Sequence, residues 1–463
     1  MSKLEGLQNT DHQTDSRNEK GALDAGAKRG PRSEDKQIRL NGARSIADAG
    51  ERGTGLAAGA GGAGAIKVIY LSHVGVLGGA ELSLIDMVRG GGVQNHVVLM
   101  DRGPLGALIA ATGAGVTVLD GNPYLAQFRR ESDSINAVTA IPLVMKLAWK
   151  VSRLAAGYQI IWANSQKSFV VGCFAALLAR RPLIWHMRDI LSPDHFSLLN
   201  RKVVVLLANR FATRVITVSD AGRHSFIQAG GRADIATVVH NGIDSGEFDR
   251  VDVAASRSDL RRELGIGDAP LLGSFGRLTS WKGQHVLIGA LKSLPGVHAV
   301  FVGDALFHET EYARSLHKLA ADLGVADRAH FVSFRKNIPQ LMSAVDIVIH
   351  NATAPEPFGR VIVEAMLSRR PIIATDAGGA REIITAGHDG ILIPASDEPA
   401  LAAAIRELIE DPARAVAMGN RGYETATDRF SLKSFLSNVE RVKIETAGTV
   451  ALPAGKASAA AAG

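Results

Sequence analysis

Two glutamates separated by seven residues, Glu356 and Glu364, stand in the stretch Asn351–Glu382, NATAPEPFGRVIVEAMLSRRPIIATDAGGARE. Upstream, Val345–Ile349 reads as a buried parallel strand, and Pro357 suits the first position of a helix over Phe358 to about Ser368. Glu356 then lies just before the helix, with Glu364 about 12 Å further along its axis at ~1.5 Å rise per residue. That is close to the span from a hexose to the ribose of a sugar nucleotide. The helix is apolar on nearly every face through Val361, Ile362, Val363, Ala365, Met366 and Leu367, so Glu364 needs a partner. The partner is either a bound molecule or a neighbouring arginine, Arg360 or Arg369. Elsewhere, Arg277 and Lys282 flank the loop after an apolar run, Leu271–Phe275. Two cations at the end of a strand suit a diphosphate, Arg by its planar fork and Lys as a compact charge. Gly78 and Gly79 stand between a strand beginning at Ile66 and a helix over Leu82–Val88, where they form an ordinary turn or bring backbone N–H groups to an anion. His186 ends a strand in LIWHMRDI, beside Arg188 and Asp189, with a structural role and a place in the site both open to it.

The elements that must hold these residues follow from apolar periodicity. Short apolar runs at Ile66–Ser72, Val97–Met100, Val116–Leu119, Ile160–Ala163, Leu183–His186 and Val215–Ser219 alternate with helical patterns. A second series follows at Leu271–Phe275, Ala299–Val302, His330–Phe334, Val345–Ile349, Pro371–Thr375 and Ile391–Pro394. Strands alternating with helices predict parallel, doubly wound sheets, and the turn Asn241-Gly242-Ile243-Asp244 divides the two series. Helical patterns over Ala413–Ala426 and Ser431–Glu445 close the ordered chain. Residues 1–65 and 446–463, rich in Gly and Ala, read as disordered. Gly59–Gly64 matches G-x-G-x-x-G by letter but precedes the first strand, so it is not a dinucleotide fingerprint.

At 463 residues with 46% apolar content, the chain can bury two cores. Its one cysteine, Cys173, excludes an internal disulfide framework and a cysteine metal cluster, which fits a reducing cytoplasm. Phe169–Ala179, among the longest apolar runs, falls short of the ~18 residues a spanning helix needs, and the polar N-terminus is unlike a signal peptide. The net charge of +6 is modest and implies no nucleic-acid partner, but residues 66–240 hold 18 Lys/Arg against 10 Asp/Glu. The helical patterns Ala137–Leu154 and Asn200–Arg214 set Lys146, Lys150, Arg153, Arg201, Lys202, Arg210 and Arg214 beside aliphatic faces. Such faces suit an anionic membrane surface or water.

With its two αβ series and these loops, the chain resembles the family 4 retaining glycosyltransferases (glycosyl transferases group 1) over about Ile66–Glu445. The E-x7-E pair Glu356–Glu364 is the most specific part of the likeness. The resemblance implies a GT-B fold, two Rossmann-like domains facing across a cleft: an acceptor-side domain over 66–244, a nucleotide-sugar domain over 245–430, and a helix over 431–445 crossing back. It implies that Glu356 contacts the donor sugar, Glu364 the ribose, and Arg277 and Lys282 the diphosphate. The backbone of Phe358 and Gly359 would lie beside sugar and phosphates, His186 near the donor's reacting end, and Gly78 and Gly79 in a loop closing over the site. His186 and Glu356 are thereby the candidate catalytic residues.

The implied reaction is metal-independent, cofactor-free transfer of a hexosyl group from a UDP- or GDP-sugar to a hydroxyl, with retention. The implied acceptor is a lipid-linked or cell-surface glycan, and the enzyme would be cytoplasmic or peripheral at the inner membrane face. No D-x-D pair occurs in the chain. A phosphorylase or nucleotide-sugar epimerase on the same scaffold, and a non-catalytic sugar-nucleotide-binding subunit, are the alternatives. Two departures from the family pattern stand beside the likeness, Arg360 after the glycine, where such sequences vary, and the 65-residue N-terminal stretch, which has no counterpart there; neither disturbs the core motif.

Overall fold

A computed structural model describes residues 66–89, 94–119, 141–193, 196–305 and 309–451. The expectations for residues 1–65 and for 452–463 lie outside these. The first sheet has seven strands: β1 (Val68–Ser72), β2 (Asn95–Leu99), β3 (Gly115–Val118), β4 (Ile160–Ala163), β5 (Leu183–Met187), β6 (Arg214–Thr217) and β7 (Ala236–Val238), in the order β3-β2-β1-β4-β5-β6-β7. The second has six: β8 (Leu271–Phe275), β9 (His298–Val302), β10 (Ala329–Val332), β11 (Ile347–His350), β12 (Ile372–Thr375) and β13 (Ile391–Ile393), in the order β10-β9-β8-β11-β12-β13. Every pairing is parallel.

Continuous apolar runs make these strands because helices cover both faces of a parallel sheet, leaving no solvated face to alternate with. In β5, Leu183, Trp185 and Met187 join one core layer while Ile184 joins the other. The strand order reverses between β1 and β4 and again between β8 and β11, so each sheet opens a crevice at its carboxyl edge there. Strand β7 was not foreseen; it is three residues long, below the length at which a run stands out.

Many expected boundaries shift by a residue or a few, and three of the shifts bear on the site or the domain junction. Strand β11 begins at Ile347 and ends on His350, because Asp346 turns its carboxylate to the Leu271 N–H and to Arg261, both at 2.8 Å, instead of opening the strand. The first helix begins at Gly79 and runs to Arg89. The closing helix runs over Leu432–Ala451, past the Glu445 end and into the stretch expected to be disordered. Its Phe435, Val439 and Val442 complete a core layer with Val68, Tyr70, Leu84 and Trp162, and Thr446 is buried. Packing against the first sheet, absent from local composition, extends the helix across Gly448. Where the chain crosses between the sheets, Ile243 N–H donates to Phe430 O at 3.0 Å and Leu432 N–H to Ile243 O at 3.2 Å.

Candidate active site

The loop after β8 and the loop after β11 meet at the carboxyl edge of the second sheet. Thr353 N–H donates to Trp281 O at 2.8 Å and Asn351 Nδ2 to Gly283 O at 2.7 Å, which fixes one loop on the other. Lys282, ending a short 3-10 turn, thereby reaches the Glu356 carboxylate and donates to Oε1. His350, the last residue of β11, donates from Nε2 to the same oxygen at 2.9 Å. Burial opposes the charge on Glu356, but the Lys282 ammonium and His350 outweigh it and hold the carboxyl far below the usual carboxylate range. Glu356 is thus an ionised acceptor inside the protein. Oε2 makes no bond among the described residues.

The helix that carries Glu364 starts at Arg360, two residues later than expected, and ends at Leu367. Gly359 precedes it with φ 98°, a left-handed conformation that a side chain resists, so Pro357 and Phe358 belong to the loop and the helix N-terminus points from Gly359–Arg360. Phe358 is buried, its ring edge-on to Phe430 at 5.7 Å. Glu364 lies 3.5 Å from Arg360 one turn back, the arginine partner that the sequence left open. Arg360 Nη1 is buried with no hydrogen-bond partner among the described residues. Across the cleft, a Cβ on Gly79 would come within 3.2 Å of Arg360 Cδ, so the Gly78–Gly79 loop of the first sheet faces this helix directly.

Arg277 sits on the same loop as Lys282 but turns to Glu309 at 3.3 Å, half-exposed. His186 is fully buried in β5, edge-on to Trp162 at 5.6 Å, with neither ring nitrogen hydrogen-bonded among the described residues. Burial, aided by the neighbouring Arg188 guanidinium, pushes it well below the ordinary imidazole range, so the ring is neutral. Arg188 is itself pushed down to about 9 by burial. It donates to Asn241 Oδ1 at 2.7 Å and to Asn164 Oδ1 at 2.9 Å, closing a polar cluster at the carboxyl edge of the first sheet.

The structure therefore gathers Lys282, Glu356, Phe358, Gly359 and Glu364 at one edge, with Gly78 and Gly79 opposite and Arg277 at the rim. His186 stays within the first domain. Sequence reasoning missed His350, and its signal was the one used for His186: a histidine closing an apolar strand. Among the described residues no helix is long and apolar enough to cross a membrane.

Two doubly wound parallel domains, each with a switch-point crevice, and an E-x7-E pair running from a loop of the second domain into a helix packed on its sheet define a GT-B type scaffold. The "Glycosyl transferases group 1" model matches residues 256–425 and the "Glycosyl transferase 4-like domain" model residues 91–242. Among solved structures, Anabaena Alr3699/HepE in complex with UDP and glucose is 40% identical with a TM-score of 0.74, covering 82% of this chain and 99% of that one. A sucrose-phosphate synthase from Thermosynechococcus elongatus shares the fold at 20% identity and a TM-score of 0.69, over 83% of this chain and 100% of that one. Among curated relatives, a lipopolysaccharide core biosynthesis glycosyltransferase of Rhizobium meliloti, LpsE, is 34% identical over 35% of this chain and 46% of its own length. A GDP-mannose-dependent phosphatidylinositol monomannoside mannosyltransferase of Mycobacterium tuberculosis is 32% identical over 54% of this chain and 68% of its own. The chain spans about half the length of the first curated relatives it matches, 46% and 59%. It belongs to the group 1 family of glycosyl transferases.

Proposed function

We propose that this protein is a retaining glycosyltransferase that moves a hexosyl group from a nucleotide sugar to a hydroxyl of a lipid-linked or cell-surface glycan. The observation that carries the reading is Glu356, a buried carboxylate kept ionised by Lys282 and His350, in the loop just before the Arg360–Leu367 helix that bears Glu364. A UDP-sugar is the favoured donor, on the likeness to a protein solved with UDP and glucose. Cleaving the anomeric C–O bond leaves positive charge on the sugar and negative charge on the diphosphate. Lys282, the helix N-terminus at Gly359–Arg360 and Arg277 stabilise the diphosphate, while Glu356 orients sugar hydroxyls and Glu364 the ribose. The acceptor oxygen attacks from the leaving-group face, and its proton passes to the departing phosphate oxygen, so the configuration is retained without a dedicated base. The charge on these residues replaces a metal ion, so a chelator leaves the rate unchanged.

The acceptor side faces an anionic membrane. Ile141, Met145 and Trp149 recur at four-residue spacing on the Ile141–Ala155 helix, all exposed, Trp149 at 57%. Lys146, Lys150 and Arg153 interleave with them, and Arg153 lies over the Trp149 ring at 5.9 Å. Leu198, Leu199, Val203 and Leu206 are exposed on the Leu198–Phe211 helix beside Arg201 and Lys202. Such a mixture suits lipid headgroups, and it would hold the enzyme at the inner membrane face.

A panel of UDP-, GDP- and ADP-sugars tests the reading by thermal shift and by transfer. One donor is expected to raise Tm by mass action, and Glu356→Ala and Lys282→Ala are each expected to lower transfer by about 10²–10³-fold in folded protein. Wild-type rates in both variants would refute the assignment. Turnover of nucleotide sugar alone would favour an epimerase, and a lysine-bound pyridoxal absorbance a glycogen-type phosphorylase. Donor binding without transfer would favour a scaffold.

A further inference from the structure

Glu382 closes the Gly-Gly-Ala-Arg-Glu run after β12, and its side chain leaves the second domain altogether. Oε2 accepts the Asp220 N–H at 2.7 Å and Oε1 the Ala221 N–H at 2.8 Å, at the start of the first-domain helix Asp220–Gln228. His240 Nε2, at the end of the first domain, donates to Oε2 at 3.2 Å. The backbone of Glu382 is held in turn, since Arg429 Nη2 donates to its carbonyl at 2.6 Å. A carboxylate on two free amides at a helix N-terminus is a strong pairing of charge with dipole. Here the two partners belong to different domains.

The same loop also supports the sugar site. Gly379 N–H donates to Glu356 O at 2.9 Å, and a Cβ on Gly379 would lie 2.4 Å from Phe358 O. His240, bound to Glu382, packs its ring on Phe430 at 5.6 Å and Phe358 at 6.1 Å. From the Glu356 backbone to the Asp220 helix there is thus one continuous path of backbone contacts, hydrogen bonds and tilted or edge-on ring contacts. Neither Glu382 nor His240 is bonded to Lys282, Glu356 or Glu364 side chains among the described residues.

We infer that Glu382 is an interdomain clasp, a positioning residue that sets the angle at which the first domain presents the acceptor to the donor held beside Glu356. The geometric part stands on these contacts alone, and the kinetic part rests on the transferase reading above. Transfer needs both substrates in line, so loosening the clasp slows the chemical step while the donor contacts stay whole.

The test uses the full chain with spin labels at Lys202→Cys and Glu410→Cys, both exposed and one in each domain; Cys173 is buried and stays unlabelled. Wild type is expected to give one narrow distance distribution, Glu382→Ala a broad one, and Glu382→Gln, which keeps an acceptor but loses the charge, an intermediate one. In parallel, kcat is expected to fall about tenfold or more in Glu382→Ala with donor KM changed less than about twofold, and Glu382→Asp to recover part of the rate. An unchanged distance distribution in Glu382→Ala and Glu382→Gln overturns the clasp. So does a loss of donor affinity that accounts for the whole loss of rate. If wild type transfers no sugar, the transferase reading fails, and the distance measurement still decides the clasp.

Discussion

At the scale of single residues, Glu356 is set apart by the sign of its environment. Burial alone would protonate a carboxyl, yet Lys282 and His350 reverse this and depress its folded value. A depressed carboxyl contributes stability that is present above its unfolded value of about 4.3 and is lost as pH falls towards the folded value. The Tm advantage of wild type over Glu356→Gln is therefore expected to shrink steadily between about pH 5 and pH 3. A difference that stays constant over that window would show that Glu356 is not held ionised. Glu356 and Lys282 were legible from residue type and spacing because each stands beside Gly or Pro at a strand end, where loops carry function. His350 was not, since reading the strand as Val345–Ile349 placed it one residue outside. The pairing of Glu364 with Arg360 was legible only as one of two arginines, because a helix offers i, i+4 and flanking partners alike.

At the scale of elements, the helix after Glu356 shows where local signals mislead. Pro357 is a good first residue of a helix, but the left-handed Gly359 postpones the first turn to Arg360. The anion-attracting end of the helix thereby moves closer to Arg360 and the opposing Gly79, and away from the Glu356 carboxylate. Basic amphipathic faces on the first domain were legible from the pattern, and the structure leaves their apolar residues exposed on two helices that each pack against the Gln166–Ala179 helix. Their expected consequence is binding to anionic vesicles at low salt that fades as salt rises. Trp149→Ser should weaken it at every salt concentration, because it removes apolar insertion and leaves the charge, whereas Lys146→Gln with Lys150→Gln should flatten the salt dependence. Co-sedimentation checks both, and equal sedimentation with neutral and anionic vesicles would dismiss the membrane surface.

At the scale of the whole molecule, two parallel sheets were legible because buried strands read as unbroken apolar runs with helices between them. Their strand order was not, since it depends on which strands pair, and neither was the three-residue β7. The reach of the closing helix was missed for a related reason. Its last turns, Thr446-Ala447-Gly448-Thr449-Val450-Ala451, are mostly small residues, and contact with the first sheet through the helix's earlier turns carries them. Phe435 is buried in that contact, so Phe435→Ala is expected to cost about 3–5 kcal/mol in a denaturant titration read on the first domain. A loss under about 1 kcal/mol would mean that the helix rests on the sheet without completing its core.

The closing helix also gives the protein a history. Val68, Tyr70, Leu84 and Trp162 emerge from the ribosome early, while Phe435, Val439 and Val442, which complete their layer, come at the far end of the chain. At about 5–20 residues per second, the stretch from Trp162 to Phe435 takes on the order of 14–55 s to synthesise. For that interval the first domain exists without one wall, its apolar groove open to solvent and to any passing chaperone or neighbouring chain. The half of the enzyme made first is the half whose core is completed last.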